Sequence, residues 1–435
     1  MANDDEDLGS NTGSSIKSLR IIITAIEGFE EESASEARSF GLKIDSVYKG
    51  KGFFTAYADS GSIAKFLYYN TTASNIAAVL FETGIPDSDK NSEARIQISW
   101  KNDKLIATIK EKELSFAAVK IMGLREDEQS AGEILHDDYG LKVNLKSPGV
   151  RIGTIRAGDG NSVNTGNNII AGLLLNTRDL SRREYRLYST PSSVNAGVYS
   201  SALKMAGANN NEAFIDLMCA DGTFCIEYYY HASKKSPLEF DRNAIDKNAF
   251  LLSFGTDIEK TLEDYDGNEN KKPGVKASGE DSYEIYCNDS NANHLMRARQ
   301  NSRLAGCEKN IRFSKMGLEW AGLKTPENSM TLIASKIPYL SKIFPEKKYE
   351  KLLSEFAEAC SSMISVQGRI ILISNEENIA INIMGGKGFI VKKKKEIRRG
   401  ALSLHILLFS PEKKPGNKNM RRKRAGAKEG AVDGL

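Results

Sequence analysis

The sequence lacks any apolar run long enough to cross a membrane as a helix, which takes about 20 residues. Its longer apolar stretches, such as 369-RIILISN-375 and 401-ALSLHILLF-409, have the length of β-strands. The N-terminal region also lacks a basic segment followed by an apolar core, so no secretory signal peptide is expected. These absences argue against a membrane-spanning or secreted protein and favour a cytoplasmic one.

Residues for metal, disulfide and triad chemistry are scarce. The five cysteines are an odd number without paired spacing, which argues against a zinc site or a disulfide framework and fits a reducing compartment. The four histidines lie far apart and do not suggest a His-based metal or triad site. Their positions are His136, His231, His294 and His405. No GxGxxG or GxxxxGK[ST] motif is present, which disfavours NAD and ATP phosphate loops.

The charge is concentrated at the two ends of the chain. The 435 residues suggest about two to four domains, and 40% hydrophobic residues are enough for real cores. The net charge is only +3, but residues 1–17 are acidic and residues 411–435 are strongly basic. Both ends are predicted to be disordered. The basic tail has no apolar face, so it suits a polyanion better than a membrane, or it serves solubility.

The first half predicts an α+β arrangement. Residues 19–59 indicate strand, helix, strand and strand. Residues 62–84 indicate a helix, residues 96–110 a hairpin, and residues 115–140 a helix with one break. Several strands are predicted over residues 143–177.

From Tyr199 onward, strands alternate with helices, which predicts a parallel, doubly wound sheet interrupted by an insertion over residues 232–281. Ligands of such sheets bind beyond the carboxyl ends of the strands. Asp216 and Asp289 both follow predicted strands and fall at that edge.

The stretch 213-AFIDLMCADGTFCIEYYY-230 reads as a strand, a short turn and a helix. A tight turn lets backbone N–H groups approach a nucleotide-like ligand, and an acid after the next strand accepts hydrogen bonds from ribose hydroxyls. The candidate cofactor residues are Asp216, Cys219, Ala220, Asp221, Gly222, Thr223 and Asp289. An ordinary strand-to-helix turn and an ordinary helix N-cap at Asp289 remain open as structural explanations.

Three segments resemble, in order, the THUMP-domain S-adenosylmethionine-dependent RNA guanine-N2 methyltransferases of the bacterial rRNA and archaeal tRNA type. The segment 216-DLMCADGTFCIE-227 resembles their D-P-M-C-G-S-G-T-F-L-I-E motif. The segment 172–207 resembles their linker, with Arg183, Tyr185 and Arg186 in the pattern L-x-x-R-G-Y-R. The segment 285–306 resembles their second strand and following helix. The first half is similar to their ferredoxin-like plus THUMP module.

The resemblance implies an α+β N-terminal half (ferredoxin-like plus THUMP) followed by an α/β Rossmann-like methyltransferase domain with a mostly parallel doubly wound sheet. The implied parts are a disordered acidic leader (1–17), a ferredoxin-like unit (18–70), a THUMP-like RNA-binding unit (71–175), a linker (176–198), the methyltransferase domain (199–410) with its insertion (232–281), and a disordered basic tail (411–435). The implied cofactor is S-adenosylmethionine, and the implied partner is a structured tRNA or rRNA whose flipped guanine is methylated. Neither a membrane nor a metal is expected as a partner, and the expected state is a monomer.

The sequence departs from this family at the catalytic motif. Where the family has Asn/Asp-Pro-Pro-Tyr, this chain has Lys336, Ile337, Pro338 and Tyr339. The family's Asn or Asp accepts hydrogen bonds from the target amine, whereas a charged lysine has no acceptor. The candidate catalytic residues are therefore Tyr339, Pro338, Lys336 and, as a weak substitute acceptor, Ser335.

Other positions leave the function open between two classes. Ala220 replaces a family glycine, and Asp221 replaces a small residue, so that its carboxylate either meets the cationic groups of the cofactor or points to solvent. Gly317, with Glu319 nearby, replaces an aspartate that contacts adenine. The first hypothesis is an RNA methyltransferase acting on guanine N2. The alternative is a catalytically inactive relative that binds RNA, with Lys336 facing solvent or RNA and Tyr339 as a core or rim aromatic. The basic run 392-KKKKEIRR-399 fits a solvated hairpin end or a phosphate contact.

Overall fold

The computed structural model describes residues 18–84, 97–157, 168–190, 193–269, 284–399 and 402–412. The predicted acidic leader, nearly all of the predicted basic tail and most of the low-complexity part of the insertion lie outside the described residues. The strands are β1 (Leu19–Ala25), β2 (Lys43–Tyr48), β3 (Phe53–Ala58), β4 (Ala73–Gly84), β5 (Gln97–Lys101), β6 (Phe116–Met122), β7 (Val150–Arg156), β8 (Ile169–Leu174), β9 (Phe214–Asp216), β10 (Ile285–Asn288), β11 (Ile311–Ser314), β12 (Met330–Lys336), β13 (Ile364–Ser374), β14 (Phe389–Arg399) and β15 (Leu402–Pro411). The helices are α1 (Glu30–Ser39), α2 (Ser60–Tyr69), α3 (Asp103–Glu111), α4 (Arg125–Glu133), α5 (Ala196–Ala206), α6 (Thr223–Ser233), α7 (Lys247–Phe254), α8 (Ile258–Glu269), α9 (Ala292–Leu304), α10 (Leu318–Lys324), α11 (Glu346–Met363) and α12 (Glu377–Gly386).

The first half is built on a sheet with the strand order β2-β3-β1-β4-β8-β7-β6, to which β5 is added beside β4. Its pairings are antiparallel except for the parallel pair of β6 and β7. Successive side chains of β1 point to opposite faces, as the period of a strand requires. Ile21 and Ile23 pack into a large core with α1 to α4, whereas Ile22 packs into a smaller cluster on the other face.

Three predictions for this half were wrong in part. Residues 62–84 are not one helix, because α2 ends at Tyr69 and β4 then pairs with β1. Residues 115–140 begin with the strand β6, and only α4 and a short π-helical turn are helical. Residues 104–110 belong to helix α3 rather than to the second strand of a hairpin.

Helix α3 has both a start signal and a helical pattern. The Asn102 side chain accepts a hydrogen bond from the Leu105 N–H at 3.1 Å, which caps the first turn. Leu105, Ile106 and Ile109 are buried, and their spacing places them on one helical face. The apolar residues within 104–110 therefore indicate the buried face of a helix and not a strand.

The second half is built on a sheet with the strand order β11-β10-β9-β12-β13-β15-β14. The neighbours from β11 to β13 pair in parallel, and β15 pairs antiparallel with both β13 and β14. Phe214 and Leu332 pack with residues of α5, α6 and α9, whereas Ile215 and Ile333 pack with residues of α10, α11 and α12. Helices thus cover both faces, as the strand–helix alternation predicted, and α10 is an additional helix that was not predicted.

Two segments of the second half pack against the first half. The insertion contains α7 and α8, whose residues Phe250, Ile258 and Leu262 belong to the same core as α1 to α4. On β14, the Lys395 ammonium lies 3.0 Å from a Glu32 carboxylate oxygen and also donates to the Gly28 carbonyl oxygen. Part of the basic run 392–399 therefore joins the two halves instead of facing solvent.

Within the described ranges, no helix has both the length and the hydropathy that a membrane span requires. The same part of the chain contains no group of three His, Cys, Asp or Glu side chains that could together hold a metal ion.

Candidate functional site

The carboxyl ends of four parallel strands meet at one edge of the second sheet. Asp216 lies beside Cys287 of β10 and Ala334 of β12 in the ladder. Asn288, at the end of β10, is fully buried, and its Nδ2 donates to the carbonyl oxygens of Leu217 at 3.1 Å and Met316 at 3.0 Å. One amide therefore ties together the ends of β9, β10 and β11, and this is the edge at which a ligand is expected.

The turn after β9 holds two residues with positive φ. Gly222 has φ +77°, and a Cβ on it would lie 2.8 Å from Ala298 Cβ, so α9 leaves no room for a side chain there. Ala220 has φ +51°, a conformation that an alanine adopts at a cost. The turn closes with a hydrogen bond from Gly222 N–H to the Cys219 carbonyl at 2.7 Å. Glycine is therefore present at position 222, where a side chain would clash, and alanine is present at position 220, where it costs backbone strain.

Asp289 lies directly beside this turn, as the sequence predicted for a shared site. Its Oδ2 accepts a hydrogen bond from Ala220 N–H at 3.0 Å, and its Oδ1 accepts one from Asn291 N–H at 2.9 Å. The second bond lies before α9, whose N-cap is Asn291, so the explanation of Asp289 as an ordinary helix N-cap was wrong. The ring of His294, which sequence reasoning did not single out, places Nδ1 3.0 Å from Asp289 Oδ2.

Asp216 is a buried carboxyl at the centre of the strand edge. Its Oδ1 accepts hydrogen bonds from Ser335 Oγ at 2.9 Å and from Met218 N–H at 3.1 Å. Burial nevertheless raises the pKa of Asp216 to about 7, because desolvation disfavours the charged form more than these hydrogen bonds stabilise it. This carboxyl is therefore poised to titrate near neutral pH and to respond to a nearby cation.

Cys219 and Thr223 have structural contacts in the turn. Cys219 N–H donates to the Asn288 carbonyl at 2.9 Å, and burial raises the pKa of the Cys219 thiol to about 12, so it is uncharged. Thr223 begins α6, and its hydroxyl donates to Asp221 Oδ1 at 2.7 Å. The cysteine contributes its backbone to the turn and no nucleophile.

Asp221 neither points to solvent nor faces an open ligand site, the two roles suggested by the sequence. The side chain is buried, and its Oδ2 lies 3.3 Å from Arg186 Nη2 and 2.5 Å from Ser193 Oγ. Asn301 Nδ2 also donates to the Asp221 carbonyl at 2.8 Å. The carboxylate therefore joins the turn to the linker, and the Asp221 backbone carbonyl joins it to α9.

Ser335 is not placed to accept a hydrogen bond from a target amine. Its side chain is fully buried, and its Oγ accepts hydrogen bonds from Leu217 N–H at 3.0 Å and Met218 N–H at 3.1 Å while donating to Asp216. With these three partners, the hydroxyl fixes the path of the chain after β9. The expectation that it substitutes for the family's acceptor does not fit this arrangement.

Lys336 and Tyr339 contact each other at the end of β12. The Lys336 ammonium lies 3.9 Å from the centroid of the Tyr339 ring, and it also donates to the Ile337 carbonyl at 3.3 Å. Pro338 between them is exposed, and Tyr339 is half-buried. The lysine charge therefore occupies one face of the aromatic ring and one backbone acceptor at this edge.

Gly317 begins α10, where the resemblance places an aspartate. A Cβ on Gly317 would meet nothing within 4 Å, so space for a larger side chain exists. Glu319 is exposed on the first turn of α10. Neither residue places a buried carboxylate at this position.

The buried ion pair of Glu227 and Arg183, which supports the strand edge, was not predicted from the sequence. Glu227 on α6 is fully buried, with Arg183 Nε at 3.0 Å from Oε1 and the Tyr185 hydroxyl at 2.7 Å from the same oxygen. Arg183 also donates to the carbonyl of Thr71, in the first half, at 2.6 Å. The resemblance included Arg183 and Tyr185 in the linker pattern, but no local sequence pattern connects Arg183 to an acid 44 positions later.

Replacing Ala220 with glycine is expected to raise the free energy of unfolding by about 0.5–1 kcal/mol, because relief of the left-handed strain exceeds the entropy lost by glycine on folding. Urea denaturation measures the change. Ala107→Gly is the matched control, because Ala107 is exposed within α3, where glycine should lower stability by about 1 kcal/mol. Equal losses in both variants would contradict the strain at Ala220.

Comparison with protein families matches residues 183–407 to the UPF0020 family, described as RMKL-like, methyltransferase domain. Among curated proteins, the chain is similar to a tRNA (guanine(6)-N2)-methyltransferase of Methanocaldococcus jannaschii, with 26% identity over 89% of this chain and 99% of the relative. A tRNA (guanine(6)-N2)-methyltransferase of Archaeoglobus fulgidus is 22% identical over 90% of this chain and 92% of the relative.

Two solved structures resemble the chain over most of its length. SMU.472, solved in complex with SAH, has a TM-score of 0.66 at 16% identity and covers 92% of this chain and 99% of its own. TrmN from Thermus thermophilus has a TM-score of 0.60 at 16% identity and covers 90% of this chain and 99% of its own. At these identities the likeness concerns the fold, and the second half has the Rossmann-like methyltransferase fold.

Proposed function

The chain belongs to the UPF0020 family of RMKL-like methyltransferase domains, and on that premise we propose that it methylates N2 of a guanine in tRNA with S-adenosylmethionine. The observation that carries the proposal is the contact between Asp289 Oδ2 and Ala220 N–H at 3.0 Å. It brings the ribose-binding acid and the turn after β9 together at the carboxyl edge of the sheet. The named tRNA guanine-N2 methyltransferases among its relatives support the choice of substrate.

The residues at the edge fit a cationic nucleoside cofactor. Asp289 offers a carboxylate beside the turn, and Asp216 offers a buried carboxyl whose pKa of about 7 lets a cation favour its charged form. The turn has no glycine-rich phosphate loop, which a cofactor without phosphates does not need. When bound beside Asp216 and Asp289, S-adenosylmethionine would supply an electrophilic methyl group for the guanine amine.

We assign the target side to the end of β12. Tyr339 presents an aromatic ring on which a flipped base can stack, and Pro338 holds the exposed turn beside it. Lys336 stands where the family places the acceptor for the target amine, and its ammonium already contacts the Tyr339 ring at 3.9 Å. A base that enters this site must therefore displace the ammonium or stack on the other face of the ring.

RNA binding without methyl transfer is the second candidate function, and Lys336 is the observation that favours it. A charged lysine cannot accept the hydrogen bonds that orient the amine. In both functions we propose that residues 18–70 form a ferredoxin-like unit and residues 71–175 a THUMP-like RNA-binding unit. In the same division, residues 176–198 act as a linker and residues 199–410 as the methyltransferase domain.

Isothermal titration with S-adenosylmethionine tests the cofactor site. We expect micromolar binding by the wild-type protein and at least about tenfold weaker binding by Asp289→Ala, since a hydrogen bond to a charged group contributes about 1.5–3 kcal/mol. Asp257→Ala is the matched control, because this exposed aspartate at the start of α8 has a similar local sequence but lies in the insertion. No binding by a folded wild-type protein would contradict the proposal.

The affinity for S-adenosylmethionine is expected to fall as the pH is lowered from 8 to 6, approaching about tenfold for each pH unit below the pKa of Asp216. The affinity falls at low pH because the cationic cofactor favours the carboxylate form of Asp216. Above the Asp216 pKa of about 7 the carboxylate is already present, whereas below this pKa binding requires the loss of a proton. Titrations at a series of pH values measure the slope. Asp216→Asn keeps the Oδ1 acceptor and should remove the slope, and a slope shared by both proteins would refute the assignment.

A further inference from the structure

A cavity of about 620 Å³ is lined by residues of both halves. Its walls come from three separate parts of the chain: the segment between β1 and α1, the linker before α5, and the hairpin of β14 and β15. The lining residues that matter here are Glu27, Arg182, Arg186, Asn195 and Arg398. Three segments far apart in sequence thus converge on one space.

The cavity is rich in guanidinium groups. Arg186 pairs with Asp221 through Nη2 at 3.3 Å, but its Nε is buried and makes no hydrogen bond. Arg182 is exposed, with Asp179 as a loose partner at 4.0 Å, and Arg398 is exposed on β14. This Nε has no accessible surface, so a phosphate would have to approach Arg186 through its other N–H groups.

We propose that this cavity binds a phosphate group of the RNA backbone through Arg182, Arg186 and Arg398. The proposal rests on the proposed function, which supplies RNA as the partner. Guanidinium groups match phosphate oxygens in geometry and stay charged at all relevant pH values. Glu27 also lines the cavity, and Asp179 and Asp221 lie beside Arg182 and Arg186, so a phosphate would share these guanidinium groups with carboxylates.

The position of the cavity gives the phosphate a role in orienting the target. Arg186 contacts Asp221, and Asp221 belongs to the turn that carries Ala220 and Gly222. A phosphate held by Arg186 therefore lies one side chain away from the cofactor turn. The RNA backbone would be fixed beside the edge at which its base is methylated, which sets the register of the RNA without reading its sequence.

The test measures binding of a tRNA transcript at several salt concentrations. The transcript carries guanine at position 6, the position in the names of the two curated relatives. The double variant Arg182→Ala/Arg398→Ala should bind about tenfold or more weakly, and its dependence of log K on log salt should be shallower by about 1–2, one for each lost phosphate contact. The double variant should bind S-adenosylmethionine as tightly as the wild type does. Equal affinity would also show that the double variant is folded. Arg398→Lys keeps the charge and should keep most of the salt dependence.

Arg38→Ala is the control for loss of an exposed arginine elsewhere, because Arg38 is exposed at the opposite end of α1 from Glu27. It removes one positive charge, half the change in the double variant. The phosphate site would be overturned if transcript affinity and salt dependence stayed unchanged in the double variant. It would also be overturned if both fell equally in Arg38→Ala. In that case a wild-type protein that still binds and methylates the transcript leaves the proposed function standing. A wild-type protein that binds no transcript contradicts both proposals.

Discussion

Replacing Lys336 with asparagine is expected to raise the rate of methyl transfer to a tRNA transcript by about 10-fold to 100-fold. The asparagine side-chain oxygen can accept a hydrogen bond from the target amine, an interaction that contributes about 1.5–3 kcal/mol when charge develops on a partner. The substitution also removes the ammonium that lies 3.9 Å from the Tyr339 ring centroid and frees that face for a base. Single-turnover kinetics with labelled S-adenosylmethionine measure the change.

Two controls separate this effect from a general change in charge. Lys342→Asn removes an exposed lysine six positions later in the same connection and should leave the rate unchanged. Titration should give the same affinity for S-adenosylmethionine in both variants and the wild type, since the Lys336 ammonium contacts the Tyr339 ring and the Ile337 carbonyl on the proposed target side. A Lys336→Asn protein as slow as the wild type would favour the second candidate function, RNA binding without methyl transfer.

Replacing Glu227 with glutamine is expected to lower the free energy of unfolding by about 3–5 kcal/mol, because a buried guanidinium is left without its counter-charge. Arg183 is buried and donates to Glu227 Oε1 at 3.0 Å and to Oε2 at 3.2 Å. Its remaining bonds reach the carbonyls of Leu180 and Thr71, both at 2.6 Å, and these acceptors are neutral. Urea denaturation followed by tryptophan fluorescence measures the loss.

The fluorescence also locates the loss, because the two tryptophans lie in different halves. Trp100 is on β5 of the first sheet and Trp320 is on α10 of the second half. Arg183 bonds to both halves, so Glu227→Gln should shift the unfolding midpoint in Trp100→Phe and in Trp320→Phe backgrounds. Glu308→Gln, which disrupts an exposed pair with Arg303, is the control and should have little effect. Equal midpoints for Glu227→Gln and Glu308→Gln would mean that the buried pair does not support the fold.

The strand edge could be predicted because its signals are local. A short apolar strand, a turn with Gly222 and a following helix predicted the geometry after β9, and the alternation of strands and helices placed Asp289 at the same edge. The contact of Asp289 with the Ala220 N–H is a consequence of that topology. The glycine retained in this turn is also explained, since a Cβ on Gly222 would lie 2.8 Å from Ala298 Cβ.

The pairs that support this edge could not be predicted, since long-range contacts leave no periodic signal in the sequence. Asp221 was read as a solvent-facing or cofactor-facing carboxylate, yet it pairs with Arg186, which lies 35 positions earlier. Ser335 was predicted to accept a hydrogen bond from the substrate, yet its hydroxyl accepts hydrogen bonds from two backbone N–H groups after β9. In the first half, the short apolar run of α3 was misread because strand and helix patterns are ambiguous over so few residues.

Methyl transfer to a defined RNA tests the central claim most directly. The wild-type protein would be incubated with methyl-labelled S-adenosylmethionine and a tRNA transcript carrying guanine at position 6, with a transcript carrying adenine there as control. The digested RNA would then be analysed for modified nucleosides. We expect label in N2-methylguanosine, more of it with Lys336→Asn, and none in the control transcript. No label from either protein, while both bind the cofactor and the transcript, would contradict the account.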